Sequence, residues 1–148
     1  MKQKNGFTLI ELIVAIAIAM MIVGFGSVAL NDFNEKQKIS GAVKEIVSNL
    51  RLARNYAVTN QLSSGADVIQ VDINGNGLFE IKDTGKTFLQ NNFIPKGIKV
   101  TIDNPINFSV TDGRLTGLTM GTNEVNIGVS GVEIRNIRID ESGLIYEK

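Results

Sequence analysis

Two stretches decide the fold: residues 7–30, FTLIELIVAIAIAMMIVGFGSVAL, and residues 42–58, AVKEIVSNLRLARNYAV. The first is apolar along its whole length and is broken only by Glu11. As a helix rising ~1.5 Å per residue it would extend about 36 Å, enough to cross a hydrocarbon core of ~30 Å. Lys2 and Lys4 come before it, which predicts a cytoplasmic N-terminus and a single membrane pass.

The second stretch predicts an amphipathic helix. Its apolar side chains recur every three or four residues, the spacing of one helical face. These residues are Val43, Ile46, Val47, Leu50, Ala53, Ala57 and Val58. Residues 7–60 contain no proline, so we expect one long helix whose second half, residues 31–61, packs on a partner layer.

Short β-rich runs separated by Gly, Asn and Asp follow, which is typical of antiparallel hairpins. The pattern predicts an α+β fold in which the helix packs on an antiparallel sheet built from residues 66–147. The candidate strands are Val68–Ile73, Leu78–Ile81, Thr87–Phe93, Ile98–Ile102, Ile106–Val110, Arg114–Thr119, Glu124–Val129, Val132–Asp140 and Leu144–Glu147.

Composition excludes several classes of site. The chain has no cysteine and no histidine, so it has no disulfide, no thiolate nucleophile and no Cys/His zinc site. Its formal net charge of +0 gives no global attraction to nucleic acid or anionic lipid. An enzyme would need paired carboxylates or a Ser/Lys arrangement, and no spacing singles out either, so the sequence favours a non-enzymatic role.

The run Gly6-Phe7-Thr8-Leu9-Ile10-Glu11-Leu12 follows a short basic leader. It resembles the class III signal of type IV prepilins, and the chain is similar to the pilin and pseudopilin superfamily. The resemblance implies that residues 1–6 are a leader removed by a prepilin peptidase. It also implies that Phe7 becomes a methylated N-terminus and that Glu11 is the residue on which filament assembly depends.

Physical reasoning supports a special role for Glu11. A carboxylate within a membrane costs roughly 2.5–3.5 kcal/mol on insertion scales, so it usually has a partner. Cleavage after Gly6 would create an α-amino cation on Phe7, and a neighbouring subunit could offer that amine to Glu11. Two alternatives remain: Glu11 reaches the headgroups, or the segment is an ordinary signal peptide cut after Ser27-Val28-Ala29.

The motif Leu50-x-x-Ala53-Arg54, followed by the pair Ala57-Val58, is similar to minor pseudopilins of the type II secretion H class and to the FimT class. The resemblance implies a subunit that initiates or caps a type IV pilus or a secretion pseudopilus. Its expected partners are other pilin or pseudopilin subunits and an inner-membrane assembly platform. The expected location is the cytoplasmic (inner) membrane and then an extracytoplasmic filament.

A filament-tip subunit that binds DNA or a secreted substrate is the alternative. The C-terminal tail lacks an arginine pair, and Arg135 and Arg138 lie among acidic residues, so the sequence gives little support for nucleic-acid binding. Arg51 and Arg54 are expected on a solvated helix face or in ion pairs with Glu45 or an Asp of the sheet.

Residues 72–83, DINGNGLFEIKD, fit the pattern of a calcium loop. The candidate Ca²⁺ ligands are the side chains of Asp72, Asn74, Asn76, Glu80 and Asp83 and the carbonyl of Leu78. The competing interpretation is a hairpin turn, because Asn-Gly is a strong hairpin signal. The sequence leaves both interpretations open.

Overall fold

The computed structural model describes residues 7–59, 67–74, 78–83, 86–92, 94–131 and 133–147, of which 25–29, 91 and 92 are described in backbone only. The chain divides into two compact units, Met1–Glu35 and Lys36–Lys148. Helix α1, Leu9–Thr59, runs through the first unit and into the second. The single helix expected from the sequence is therefore present.

The second unit adds nine strands to the end of α1 among the described residues. They are β1 Val68–Ile73, β2 Leu78–Asp83, β3 Lys86–Asn92, β4 Lys99–Ile102, β5 Ile106–Ser109, β6 Leu115–Thr116, β7 Glu124–Ser130, β8 Ile134–Asp140 and β9 Ile145–Glu147. Every pairing between them is antiparallel. Each corresponds to one of the strands predicted from the sequence, with shifts at the ends.

The strands form two sheets rather than the single sheet expected. One has five strands in the order β3-β2-β1-β5-β6, and the other has four in the order β4-β7-β8-β9. Adjacent strands rotate by roughly 20–25°, so the outer strands of one nine-stranded sheet would turn away from a single helix. Two smaller sheets keep their apolar faces turned to the same core.

The core joins one face of α1 to both sheets. Alternation in the strands gives each sheet an apolar inner face; in β7, for example, Val125, Ile127 and Val129 are buried between more exposed neighbours. The helix contributes eight buried residues: Ile39, Ala42, Val43, Ile46, Val47, Leu50, Ala53 and Ala57. The predicted helix face is confirmed except at Val58, which is 50% exposed.

Candidate functional site

Glu11 lies at the start of α1, where it takes part in a reciprocal cap. The backbone N–H and the hydroxyl of Thr8 both donate to Glu11 Oε2, each at 3.1 Å. In return, the backbone N–H of Glu11 donates to Thr8 Oγ1 at 3.3 Å. This is a capping box, in which a Thr before the helix and a Glu three residues later satisfy N–H groups that the helix leaves unpaired.

The apolar side chains around Glu11 are exposed along the described part of the first unit. Phe7 is 87% exposed, and every described side chain from Leu9 to Gly24 is exposed as well. A helix that is apolar on all sides needs a partner surface or an apolar solvent. Gly6, the predicted residue before the cut, lies outside the described residues.

Among the described residues, no helix is both long and apolar enough to cross a membrane.

The candidate calcium residues lie at the β1–β2 hairpin. There, the Lys82 ammonium lies between the carboxylates of Asp72 and Glu80. Lys82 Nζ lies 2.7 Å from a carboxylate oxygen of Asp72 and 2.7 Å from one of Glu80. These two hydrogen bonds, to Asp72 first and then to Glu80, raise the pKa of Lys82 above its ordinary value. Because the ammonium is ion-paired with both carboxylates, a calcium ion bound between them would have to displace it.

In the same hairpin, two hydrogen bonds join Asn74, which follows β1, to Leu78, which begins β2. The N–H of Asn74 donates to the carbonyl of Leu78 at 3.0 Å, and the N–H of Leu78 donates to Asn74 Oδ1 at 3.1 Å. Asn76 lies outside the described residues. Two of the proposed ligand oxygens, Asn74 Oδ1 and the Leu78 carbonyl, therefore already accept hydrogen bonds, although each oxygen keeps a second lone pair.

Asp83 lies on a different face of β2 from Glu80. Strand alternation buries Phe79, Ile81 and Asp83, while Glu80 and Lys82 point away from the core. The carboxylate of Asp83 is buried without a hydrogen-bond partner among the described residues. The structure thus brings Asp72, Asn74, Leu78 and Glu80 together and leaves Asp83 apart from them; calcium binding stays a prediction.

Arg54 connects the helix to one turn from each sheet. Its Nε donates to the carbonyl of Gly113 and its Nη2 to the carbonyl of Ser142, both at 3.3 Å. The Gly113 turn joins β5 to β6, and the Ser142 turn joins β8 to β9. Arg54 is half-buried and donates to backbone carbonyls, and among the described residues it forms none of the ion pairs that the sequence suggested.

Two glycines make room for this guanidinium. Gly113 and Gly143 have φ values of 69° and 78°, in the left-handed region that favours glycine. A Cβ on Gly143 would lie 2.2 Å from the Gly113 carbonyl oxygen and 2.8 Å from Arg54 Nε. A Cβ on Gly113 would lie 2.5 Å from Cγ2 of Val58. We call Arg54, Gly113, Ser142 and Gly143 the arginine junction.

Asp140 organises the β8–β9 turn beside the arginine junction. Its carboxylate accepts hydrogen bonds from the Ser142 hydroxyl at 2.6 Å, the Leu144 N–H at 3.0 Å and the Tyr146 hydroxyl at 3.2 Å. These bonds, led by the one from Ser142, hold the pKa of Asp140 below its usual value, against the opposing effect of partial burial. The turn is therefore ordered by its own side chains.

The arginines of β8 are paired with acidic side chains. Arg135 Nε lies 2.8 Å from Glu133, and Arg138 forms an ion pair with Glu124. Cations that are already paired give little electrostatic attraction for a phosphate backbone. Both arginines of β8 are thus engaged within the protein, and nucleic-acid binding is left untested by these contacts.

Sequence reasoning missed both the capping box and the arginine junction. The capping box has a readable signal, because Thr8-x-x-Glu11 is the S/T-x-x-E pattern directly before an apolar run. The junction has no comparable signal, since Gly113 and Gly143 are far from Arg54 in the sequence and are brought to it only by the tertiary fold.

Comparison with known proteins gives one match. Residues 1–27 match the family model described as the prokaryotic N-terminal methylation motif. Nothing among curated proteins or solved structures matches the chain. The matched segment contains Gly6, Phe7, the capping box and the first part of α1. The chain therefore carries an N-terminal signal of the type IV prepilin kind.

Proposed function

We propose that this chain is a minor pilin or pseudopilin, cut between Gly6 and Phe7 and built into an extracytoplasmic filament that it initiates or caps. The observation that carries the proposal is the match of residues 1–27 to the prokaryotic N-terminal methylation motif. The assignment to the type II secretion H class or the FimT class rests on the resemblance of residues 50–58.

The chemistry of assembly would centre on Phe7 and Glu11. Cleavage by a prepilin peptidase frees the α-amino group of Phe7, and methylation keeps that amine basic. An amine from one subunit near Glu11 of the next would pair two charges that are costly to leave alone in an apolar surrounding. Such a pair would also fix how far one subunit is displaced along the filament relative to the next.

The location follows from the same segment. The absence of charge between Leu12 and Leu30 supports insertion of residues 7–30 into the cytoplasmic membrane, with the leader on the cytoplasmic side. After cleavage, the inner-membrane assembly platform and other pilin or pseudopilin subunits would be its partners. The unit Lys36–Lys148 would then lie outside the cytoplasm.

A structural role suits this chain better than an enzymatic one. The methylation motif is typical of structural subunits of filaments, which supports a non-enzymatic function. The alternative role, a filament-tip subunit that binds DNA or a secreted substrate, depends on whether the unit Lys36–Lys148 has a ligand. The ion pairs of Arg135 and Arg138 lend no support to the DNA form of this alternative.

Fractionation of sheared filaments tests the proposal. Cells expressing the tagged chain are sheared, and the released filaments are separated from membranes before immunoblotting. We expect the processed chain in the filament fraction, and we expect it to be missing there in cells that lack the prepilin peptidase. A chain found only in membranes, in both strains, would contradict the proposed role.

A further inference from the structure

We infer that a groove between α1 and β9 binds the carboxylates of an acidic peptide segment from a partner protein. Two cavities of about 520 Å³ and 310 Å³ adjoin at Arg51, which lines both. We call them together the α1–β9 groove. Its helix wall includes Lys44, Arg51 and Arg54, and its other wall includes Asp112 of the β5–β6 turn and Ile145 and Glu147 of β9.

The helix side of the groove presents three cations. Lys44 and Arg51 are two helical turns apart and therefore on the same side of α1, and both are exposed. Within the described part of the chain, neither side chain has a hydrogen bond or an ion pair. Arg54 adds a third cation, whose N–H groups beyond those used at the arginine junction remain available.

The carboxylates of the groove do not cancel this charge. Asp112 already lies 3.3 Å from Arg114 Nε, so its charge is largely compensated. Glu147 is exposed and lines the smaller cavity, beside Lys44 and Arg51. The groove therefore keeps an excess of positive charge that a ligand with separate negative charges would complement.

The arginine junction gives part of this site a fixed geometry before any ligand arrives. The carbonyls of Gly113 and Ser142 hold the guanidinium of Arg54 in place, and the Asp140 hydrogen bonds order the turn beneath it. A guanidinium that is held in advance loses less freedom on binding a carboxylate, and its N–H groups can donate to both carboxylate oxygens.

An extended peptide fits the groove better than a small anion or a nucleic acid. The charged side chains alternate with the apolar Val47, Val58 and Ile145, which suits a chain carrying both kinds of side chain. Among the described strands β9 pairs with β8 alone, so its other edge can pair with an extended backbone. Nucleic acid would also bring phosphates against Glu147, and the described residues that line the groove include no aromatic side chain on which its bases could stack.

A binding titration on the full-length chain in non-ionic detergent tests this inference, and it requires no filament. The probe is fluorescein-labelled tetraglutamate amide, followed by fluorescence anisotropy at low salt. Unlabelled tetraglutamate amide is the reference competitor, and tetraglutamine amide, inorganic phosphate and an oligothymidylate are compared with it. The variants are Arg51→Gln, Lys44→Gln and Glu147→Gln, with Lys96→Gln as a control because Lys96 is exposed and lies outside the groove.

We expect Arg51→Gln to weaken binding about three- to tenfold and Lys44→Gln about twofold, as for exposed and partly exposed charge pairs. Glu147→Gln should tighten binding, which loss of folding cannot imitate, and Lys96→Gln should change nothing. Equal affinities for Arg51→Gln and Lys96→Gln would overturn the inference. So would competition by tetraglutamine amide, phosphate or oligothymidylate as strong as that by unlabelled tetraglutamate.

Discussion

At the residue scale, Glu11 combines a negative charge with a hydrogen bond to the start of its own helix. The cap requires an acceptor at this position, whereas pairing with a neighbour's amine requires the charge. Glutamine keeps the acceptor and removes the charge, valine removes both, and Thr8→Ala removes only part of the cap. These substitutions therefore separate the two roles.

We expect Glu11→Gln and Glu11→Val to insert into the membrane at least as readily as the unmodified chain, and both to fail to enter filaments. Thr8→Ala should lose about 1 kcal/mol of helix-start stability and still enter filaments, because the charge remains. Immunoblots of sheared filaments measure incorporation. Normal incorporation of Glu11→Gln would show that the cap, and not the charge, is what assembly requires.

The arginine junction leads to a prediction about two glycines. Gly143 and Gly97 both have positive φ, but only at Gly143 would a Cβ meet other atoms within 4 Å. Gly97→Ala should cost about 1–2 kcal/mol for its backbone conformation alone. Gly143→Ala should cost a further 1–3 kcal/mol or so, because the added carbon collides with the Gly113 carbonyl and Arg54.

Chemical unfolding of the two glycine variants, each compared with the unmodified chain, gives these free energies. Equal losses of unfolding free energy for Gly143→Ala and Gly97→Ala would mean that the close approach at Gly143 does not affect stability. The capping box at Glu11 should be unaffected in both variants, since it lies in the other unit.

At the element scale, α1 could be predicted well from sequence, because its spacing of apolar residues is local information. Ile39 and Ala42 extend the buried face by one turn beyond the predicted start at Val43, since the sequence pattern weakens there. The strands were predicted from turn residues and β-rich runs. The errors are a few residues at strand ends, because where a strand ends depends on the neighbouring strands with which it pairs. Arg114–Thr119, for instance, shortens to Leu115–Thr116.

The buried face of α1 gives a direct test of the packing. Leu50 is fully buried, whereas Ser48 on the same helix is exposed. Leu50→Asp should cost several kcal/mol and unfold the second unit, because an unpaired carboxylate would enter the apolar core. Ser48→Asp should leave the melting temperature within a few degrees. Equal melting curves for the two variants, followed by circular dichroism, would contradict the helix-to-sheet packing.

For the β1–β2 hairpin, adding metal ions distinguishes a calcium site from a hairpin turn that needs no ion. Lys82 already forms ion pairs with Asp72 and Glu80, and Asp83 lies on another face, so we expect the hairpin to be stable without a bound ion. Thermal melts in EGTA, calcium and magnesium should then coincide. A bound calcium ion at ten times its Kd would instead add about 1.4 kcal/mol.

Lys82→Gln serves as the matched variant in these melts, because it removes the competing ammonium while leaving the carboxylates in place. A rise in melting temperature with calcium, absent with magnesium and larger in Lys82→Gln, would establish the calcium site. We expect the melting temperature of the unmodified chain to be the same with and without calcium.

At the scale of the whole molecule, the two units could be predicted to different extents. The α+β class and the helix-on-sheet arrangement follow from periodicities in the sequence. The division into two sheets does not, because it depends on β4 pairing with β7 across a long stretch of chain. The arginine junction is likewise a product of the tertiary fold. The N-terminal signal, by contrast, is contiguous, and it could be read from the sequence and is matched by a family model.

Intact-mass analysis of the chain extracted from its own membranes tests the central claim most directly. The account predicts a single mature species with the mass of residues 7–148 plus one methyl group, and an uncut precursor for Gly6→Leu, which leaves the apolar segment unchanged. A mature chain that begins at Leu30, as an ordinary signal peptide would produce, or a chain that retains Met1–Gly6 would contradict it.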